Sequence, residues 1–186
     1  MLFRSIALAH AQPGKLNYAS AGNGSTLHLT GELFRRMAGI DIVHVPYKGS
    51  APGLTDLLAG HVQMTFNPAT LTLPHAKTGR LRVLGVTTLK RVTFAPEIPA
   101  IAESGVPGFA ASGWYGLFGP RGIAPAQVSV LYDTVKKSFA DREFGERFAA
   151  LGAVPLAGDP TAFAAFIQSE LAKWGKVVRE SGARID

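Results

Sequence analysis

Short apolar or β-branched runs alternate, along residues 16–87, with stretches whose apolar positions recur every three or four residues. Leu16-Asn17-Tyr18-Ala19 predicts a strand, and Ser20-Ala21-Gly22-Asn23-Gly24-Ser25 a turn-rich loop. Leu29, Leu33 and Met37, four residues apart, predict a helix from about Thr26 to Met37, stopped by Gly39. Ile42-Val43-His44-Val45-Pro46 predicts the next strand. Ser50 is the expected cap of a helix running to Gly60, with Leu54, Leu57 and Leu58 facing inward. A third strand is predicted over 62–66, a helix opening at Asn67-Pro68 and ending near Gly79, and a fourth strand over 81–87. Strand–helix alternation with connections this short implies an α/β fold with a mostly parallel sheet and helices on its faces.

The pattern changes after residue 87. Residues 88–112 are rich in Pro, Gly and Ala, with one short helical stretch near 97–104, and read as a connection between lobes. Trp114-Tyr115-Gly116-Leu117-Phe118-Gly119 predicts a strand with bulky side chains. A helix from Pro125 carries the stripe Val128, Leu131, Val135 and Phe139; a short helix is expected over 142–151 and a small strand over 153–156. The last helix is capped by Asp159 with Pro160 in its first turn. Its stripe, Phe163, Phe166, Ile167, Leu171, Trp174, Val177 and Val178, is the strongest periodic signal in the chain. With one expected strand before the helices of 113–186, that stripe lacks a visible sheet to bury against. The expectation is one complete lobe, 1–112, and an incomplete second lobe, 113–186.

Composition narrows the function classes. In 186 residues, 47 % apolar and 17 % charged, there is enough apolar content for a core and too little charge for a disordered tail. No cysteine is present, which removes disulfide scaffolds, thiolate metal sites and cysteine nucleophiles. Most of the net charge of +6 sits in the first part: ten Lys/Arg against five Asp/Glu in residues 1–112, nine against eight in the remaining 74. A basic first part suits nucleic acid, an anionic membrane surface or acidic small ligands; the basic residues come in ones and twos with no aromatic interleaving, so a nucleic-acid partner is not expected. No run reaches the ~18 apolar residues a membrane span needs. The start, residues 1–12, has a basic residue and a small-x-small ending like a secretion signal. It is too short and is interrupted by Arg4, so the last turns of a helix ending at Pro13-Gly14 are the better reading.

Three strand ends carry the candidate chemistry. The loop from Ser20 through Ala21, Gly22, Asn23, Gly24 and Ser25 to Thr26 follows a strand and opens a helix. Its glycines allow close backbone approach, its helix start offers N–H groups with partial positive charge, and Ser20, Ser25 and Thr26 add hydroxyls. The arrangement suits a carboxylate; an ordinary strand–helix turn with Ser25 as cap is the alternative. It matches neither the dinucleotide fingerprint nor a P-loop, because Leu27 stands where a third glycine would and no Lys-Ser/Thr follows. Tyr47, Lys48, Gly49 and Ser50 follow the next strand: a ring wall, a charge that adds field more than contact, and a turn. Asn67, after the third strand, can donate and accept. In open parallel sheets ligands sit at such strand ends. Catalytic and metal templates are absent: there is no Gly-x-Ser-x-Gly elbow and no His-x-x-x-His pair among His10, His28, His44, His61 and His75. His44, mid-strand, is expected to be structural, and His28 to lie at the surface near a helix start. No cofactor is implied.

Pro13-Gly14-Lys15-Leu16-Asn17-Tyr18-Ala19-Ser20-Ala21-Gly22-Asn23-Gly24-Ser25, Leu29-Thr30-Gly31-Glu32-Leu33-Phe34 and Val43-His44-Val45-Pro46-Tyr47-Lys48-Gly49 closely resemble the Bug-type solute receptors of tripartite tricarboxylate transporters. Gly113-Trp114-Tyr115-Gly116-Leu117-Phe118-Gly119-Pro120 is similar to that family's return segment, and the likeness runs from about Ser5 to Asp186. The resemblance implies a two-lobed periplasmic-binding-protein fold of type II and no enzymatic activity. It implies a periplasmic receptor that closes around a small carboxylate and hands it to membrane permease subunits. Residues 13–110 would be the family's second lobe almost whole and 113–186 the returning part of the first, whose front and secretion signal are expected to be missing. Asn67 departs from the Asp usual in the family, and an amide cannot supply the negative charge an amine-bearing ligand needs. Two other readings stand beside this one: a hydrolase using Ser20 or Ser25 near His28, and a truncated reading frame without a role. An uncovered apolar stripe also predicts association into a homodimer.

Overall fold

The computed structural model describes residues 2–156 and 158–183. Met1, the first residue of the apolar N-terminal stretch, and 184–186, the end of the family resemblance, lie outside the described residues. The chain divides into two units, one of residues 1–113 with 174–186 and one of residues 114–173.

In the first unit, helix α1 (Leu2–Ala11) precedes strand β1 (Leu16–Ser20), helix α2 (Thr26–Met37), strand β2 (Ile42–Pro46), helix α3 (Ser50–Ala59), strand β3 (Met64–Thr65) and helix α4 (Ala69–Lys77). The sheet has the order β2–β1–β3, and both pairings are parallel. The central strand is therefore the one that carries Tyr18, Ala19 and Ser20, each essentially inaccessible to solvent. Strand β1 pairs with β2 from Leu16–Ile42 to Ser20–Pro46, setting Tyr18 beside His44. Below the sheet ends, Leu2, Ala9, Leu16, Tyr18, Phe34, Ile42, Ile101, Val106 and Phe109 form the core, joined by Val177 from the end of the last helix. Gly31 shows how close that packing is. A Cβ there would lie 2.2 Å from the Tyr18 ring, so this position of α2 admits no side chain unless Tyr18 moves.

Two strand expectations of the first unit, and one cap, fail in part or whole. The third strand is two residues long rather than five. Residues 81–87 join no ladder of the sheet. Their one β contact is a parallel bridge from Val86 to Ala100, with Val86 N–H donating to Pro99 O (2.9 Å) and Ile101 N–H to Val86 O (3.0 Å). The segment's hydrogen bonds are thus spent on the turn before the short 3₁₀ helix Ile101–Glu103. The expected cap Ser50 is the first helical residue of α3, and the cap position belongs to Gly49.

The second unit holds helices α5 (Pro125–Ala140) and α6 (Arg142–Ala150) and the first part of α7 (Pro160–Ser181). Residues 114–119 form no strand, and neither do 153–156. Among the described residues there is no neighbouring strand for them to pair with. The aromatic side chains pack on the helix instead: Trp114 meets Phe163 and Phe166 edge-on at 6.0 and 5.3 Å, and Phe118 lies 5.4 Å from Phe163. Trp114 Nε1–H donates to Glu170 Oε2 at 3.3 Å. Asp159 caps α7 as the sequence predicts, its Oδ1 accepting from Ala162 N–H at 2.8 Å.

Candidate functional site

Parallel pairing brings the C-terminal ends of β1, β2 and β3 to one edge of the sheet. The loops that leave this edge are stitched together by backbone hydrogen bonds. Tyr47 N–H donates to Ser20 O (3.1 Å) and Gly49 N–H to Ala21 O (3.3 Å). Thr65 Oγ1 donates to Ala19 O (3.1 Å), anchoring the strand whose end leads to Asn67. The sequence-predicted residues Ser20–Thr26, Tyr47–Ser50 and Asn67 thus lie along one edge. Gly22 is required there: its φ is +121°, and a Cβ would sit 3.3 Å from Tyr47 O.

The geometry sorts these residues into two groups. The first is spent on holding the loop. Ser20 Oγ accepts from Gly22 N–H (3.1 Å) and lies 2.6 Å from His44 Nε2. Ser25 Oγ donates to Gly22 O (2.7 Å) and, as the cap of α2, accepts from His28 N–H (3.3 Å). Gly24 N–H donates to His28 Nδ1 (3.1 Å). The second group faces outward. Among the described residues no acceptor meets the first-turn amides of Thr26 and Leu27 in α2 or of Ser50 and Ala51 in α3. Helix starts leave such amides unpaired and partially positive. The Thr26 and Ser50 hydroxyls stand with them, and Lys48 is exposed on the same loop. Asn67 Oδ1 is shielded from solvent with no hydrogen-bond partner among the described residues. Nothing fixes its amide, which can present donor or acceptor. Asn23 is exposed at the tip of the glycine loop.

Tyr47 is held by its ring's far end. Its hydroxyl donates to Asp56 Oδ2 at 2.6 Å, and His61 Nδ1 lies 3.4 Å from Asp56 Oδ1. The hydrogen bond to the carboxylate, together with burial and the carboxylate's charge, raises the Tyr47 pKa. The same bond, aided by His61, lowers that of Asp56.

Under the loop lies a cluster that the sequence reading did not assemble. His28 is 7 % exposed, which corrects its expected surface position. Its ring stacks on that of His44 at 3.8 Å and 8°, and His44 in turn stacks on Tyr18 at 5.1 Å. Tyr18 donates to Glu32 Oε1 (2.8 Å), and Arg35 pairs with Glu32 Oε2 (2.9 Å). Burial lowers both histidine pKa values, that of His44 to about 4 with the neighbouring His28 adding to the effect; Glu32 opposes the shift in each. Burial and the Glu32 hydrogen bond raise that of Tyr18. Both imidazoles are neutral at pH 7. One signal in the sequence points to the cluster: His28 stands three residues after the helix cap, where a side chain can reach back to the loop, whereas Tyr18 and His44 meet through the strand register of the folded sheet.

The comparisons with known proteins agree with this architecture. The family model described as tripartite tricarboxylate transporter family receptor matches residues 2–183. The chain belongs to that family. BugT of Bordetella pertussis is 37 % identical over 180 residues, which are 97 % of this chain and 55 % of BugT. The solved R. palustris Rpa4515 with adipate is 37 % identical with a TM-score of 0.78, over 96 % of this chain and 60 % of that one. MatC from Rhodopseudomonas palustris with bound malate is 27 % identical with a TM-score of 0.72, over 95 % and 61 %. The chain thus spans 55 to 61 % of the length of these three relatives. The α/β fold with a parallel sheet is that of the family's receptors, and their role is solute binding rather than catalysis. A hydrolase reading finds no support in this geometry either. Ser20 is 1 % exposed and meets His44 rather than His28, and the carboxylate acting on that histidine, Glu32, is engaged by Tyr18 and Arg35.

Proposed function

We propose that this chain supplies one wall of a periplasmic receptor for a small carboxylate, acting by binding alone and handing its ligand to membrane permease subunits. One observation carries the reading. Two helices, α2 and α3, start at the same sheet edge, in loops tied by the Tyr47–Ser20 and Gly49–Ala21 hydrogen bonds. Their first-turn amides have no acceptor among the described residues. A carboxylate set there receives N–H groups from Thr26, Leu27, Ser50 and Ala51, hydroxyls from Thr26 and Ser50, and the field of Lys48. Ser20, Gly22, Gly24 and Ser25 hold that surface in shape. Asn67 selects at the third strand end, where it receives a ligand hydroxyl or donates to a second oxygen. Tyr47, anchored by Asp56, is a side wall. The adipate and malate bound by the two R. palustris relatives are both dicarboxylates, which fits an edge with neutral donors and one lysine.

In this reading residues 1–112 are the ligand-binding lobe, the family's second domain, and 113–186 the returning part of the first. Closure of two lobes sequesters a transported ligand, and a single wall holds it more weakly. Titration calorimetry with adipate and malate tests the proposal. We expect weak binding that Thr26→Val and Ser50→Ala each reduce severalfold, whereas binding that ignores both substitutions would move the site elsewhere. The exposed apolar side chains of the second unit, among them Tyr115, Leu117, Phe118 and Leu156, favour a homodimer. Light scattering at micromolar concentration reads it directly, a monomer being the contrary result.

A further inference from the structure

We propose that His28 and His44 are positioning residues of the carboxylate loop, a stacked imidazole pair that fixes Gly24 and Ser20 and lets them go in acid. The ligand-facing part of this inference rests on the carboxylate reading above; the loop-holding part stands by itself. His28 comes from the first turn of α2 and His44 from β2, and their rings are parallel at 3.8 Å. Each reaches a different side of the glycine loop. His28 Nδ1 accepts the Gly24 N–H at 3.1 Å, which places the His28 proton on Nε2. His44 Nε2 shares a 2.6 Å hydrogen bond with Ser20 Oγ, the same oxygen that accepts from Gly22 N–H. The pair therefore consumes the loop's inner hydrogen-bonding groups and leaves the first-turn amides of α2 facing outward.

Protonation undoes this arrangement at one atom. A proton on His28 Nδ1 turns an acceptor into a donor, and the Gly24 N–H then faces another N–H. Two charged rings at this separation also repel, so at most one of the pair ionises readily. The other titratable groups facing the pair are Tyr18 from β1, stacked on His44, and Glu32 from α2, bonded to Tyr18 and paired with Arg35. Phe66, which packs on Tyr18, adds no charge. Glu32 favours the charged imidazoles and burial opposes them, with burial the larger effect on both.

The test is hydrogen exchange by NMR on the full chain, with His28→Phe, which keeps a ring in the stack, and His28→Asn, whose Oδ1 replaces the Nδ1 acceptor. Loss of one hydrogen bond predicts that His28→Phe lowers the Gly24 protection factor about tenfold and that His28→Asn restores most of it. In the parent chain that protection falls as pH drops from 6.5 toward 4, and in His28→Asn it falls less, the remaining loss being that of His44. Adipate affinity follows Gly24 protection across the variants. Unchanged Gly24 protection in His28→Phe, or the same acid loss in His28→Asn, overturns the proposal. If the parent chain fails to bind adipate while the exchange pattern holds, the receptor reading fails and the role of the pair in holding the loop survives.

Discussion

The two units of this chain solve the burial of apolar surface differently. In the first, a central strand is covered on both edges, its Tyr18 and Ser20 are sealed, and the polar groups beneath the loop close on one another. In the second, aromatic side chains of 114–118 lie on α7 without a ladder. Tyr115, Leu117, Phe118, Val130, Leu151 and Leu156 stay largely exposed. Parallel sheets need cover on both faces and a partner on each strand. Where the partners exist the glycine loop is tied by backbone and side-chain hydrogen bonds; where they do not, strongly strand-like residues remain strandless. A site whose groups must be held in place belongs in the first kind of unit.

Core truncation should separate the units most sharply. Tyr18→Ala removes a fully buried ring that packs on Gly31, His44 and Phe66 and is expected to cost about 3–5 kcal/mol. Leu117→Ala, at a side chain 66 % exposed, should cost less than about 1 kcal/mol. Urea melts of both variants check the contrast, and equal losses would break it. Acid provides the next largest effect. A histidine with a folded pKa of about 4 and an unfolded value near 6.5 takes up its proton more readily when unfolded. Its stabilising contribution is complete above pH 6.5 and is lost as pH falls toward 4. Exchange protection in β1 and β2 should fall over that range in the parent chain and fall less in His44→Phe.

Caps give a smaller and more even effect. Ser25→Ala removes the acceptor for His28 N–H and Asp141→Ala the one for Phe144 N–H, each expected to cost about 1 kcal/mol in thermal melts. Only the first should also loosen the glycine loop, since Ser25 Oγ, like Ser20 Oγ, donates to Gly22 O. At the smallest scale, Leu156→Ser should shift stability by no more than about 0.5 kcal/mol while reducing self-association seen by light scattering.

The sequence made the first unit legible because two local codes agree there. The short apolar runs of Leu16–Ser20 and Ile42–Pro46 and the four-residue spacing in Thr26–Met37 both survive folding, and Ser25 caps its helix as its position suggests. The glycine loop and the turn at Tyr47–Ser50 were found for the same reason: helix starts after strands announce themselves. What misled was β-propensity without a partner. Val83, Val86 and the aromatics of 114–118 favour extended backbone, but a strand exists only where another strand accepts its hydrogen bonds. His28 reads as a surface residue in the sequence because its neighbour, His44, is sixteen residues away along the chain and adjacent only in the folded sheet. The division of Ser20, Gly22, Gly24 and Ser25 from Thr26 and Ser50 depends likewise on hydrogen-bond partners that no spacing rule specifies.

The central claim is that carboxylates meet the paired starts of α2 and α3. An amide-resolved NMR titration of the full chain with adipate addresses it most directly. The account predicts the largest shifts at the Thr26, Leu27, Ser50 and Ala51 amides, smaller ones at Gly24, and none across 125–150. Saturable shifts that spare the first four amides and gather in another part of the chain would contradict it.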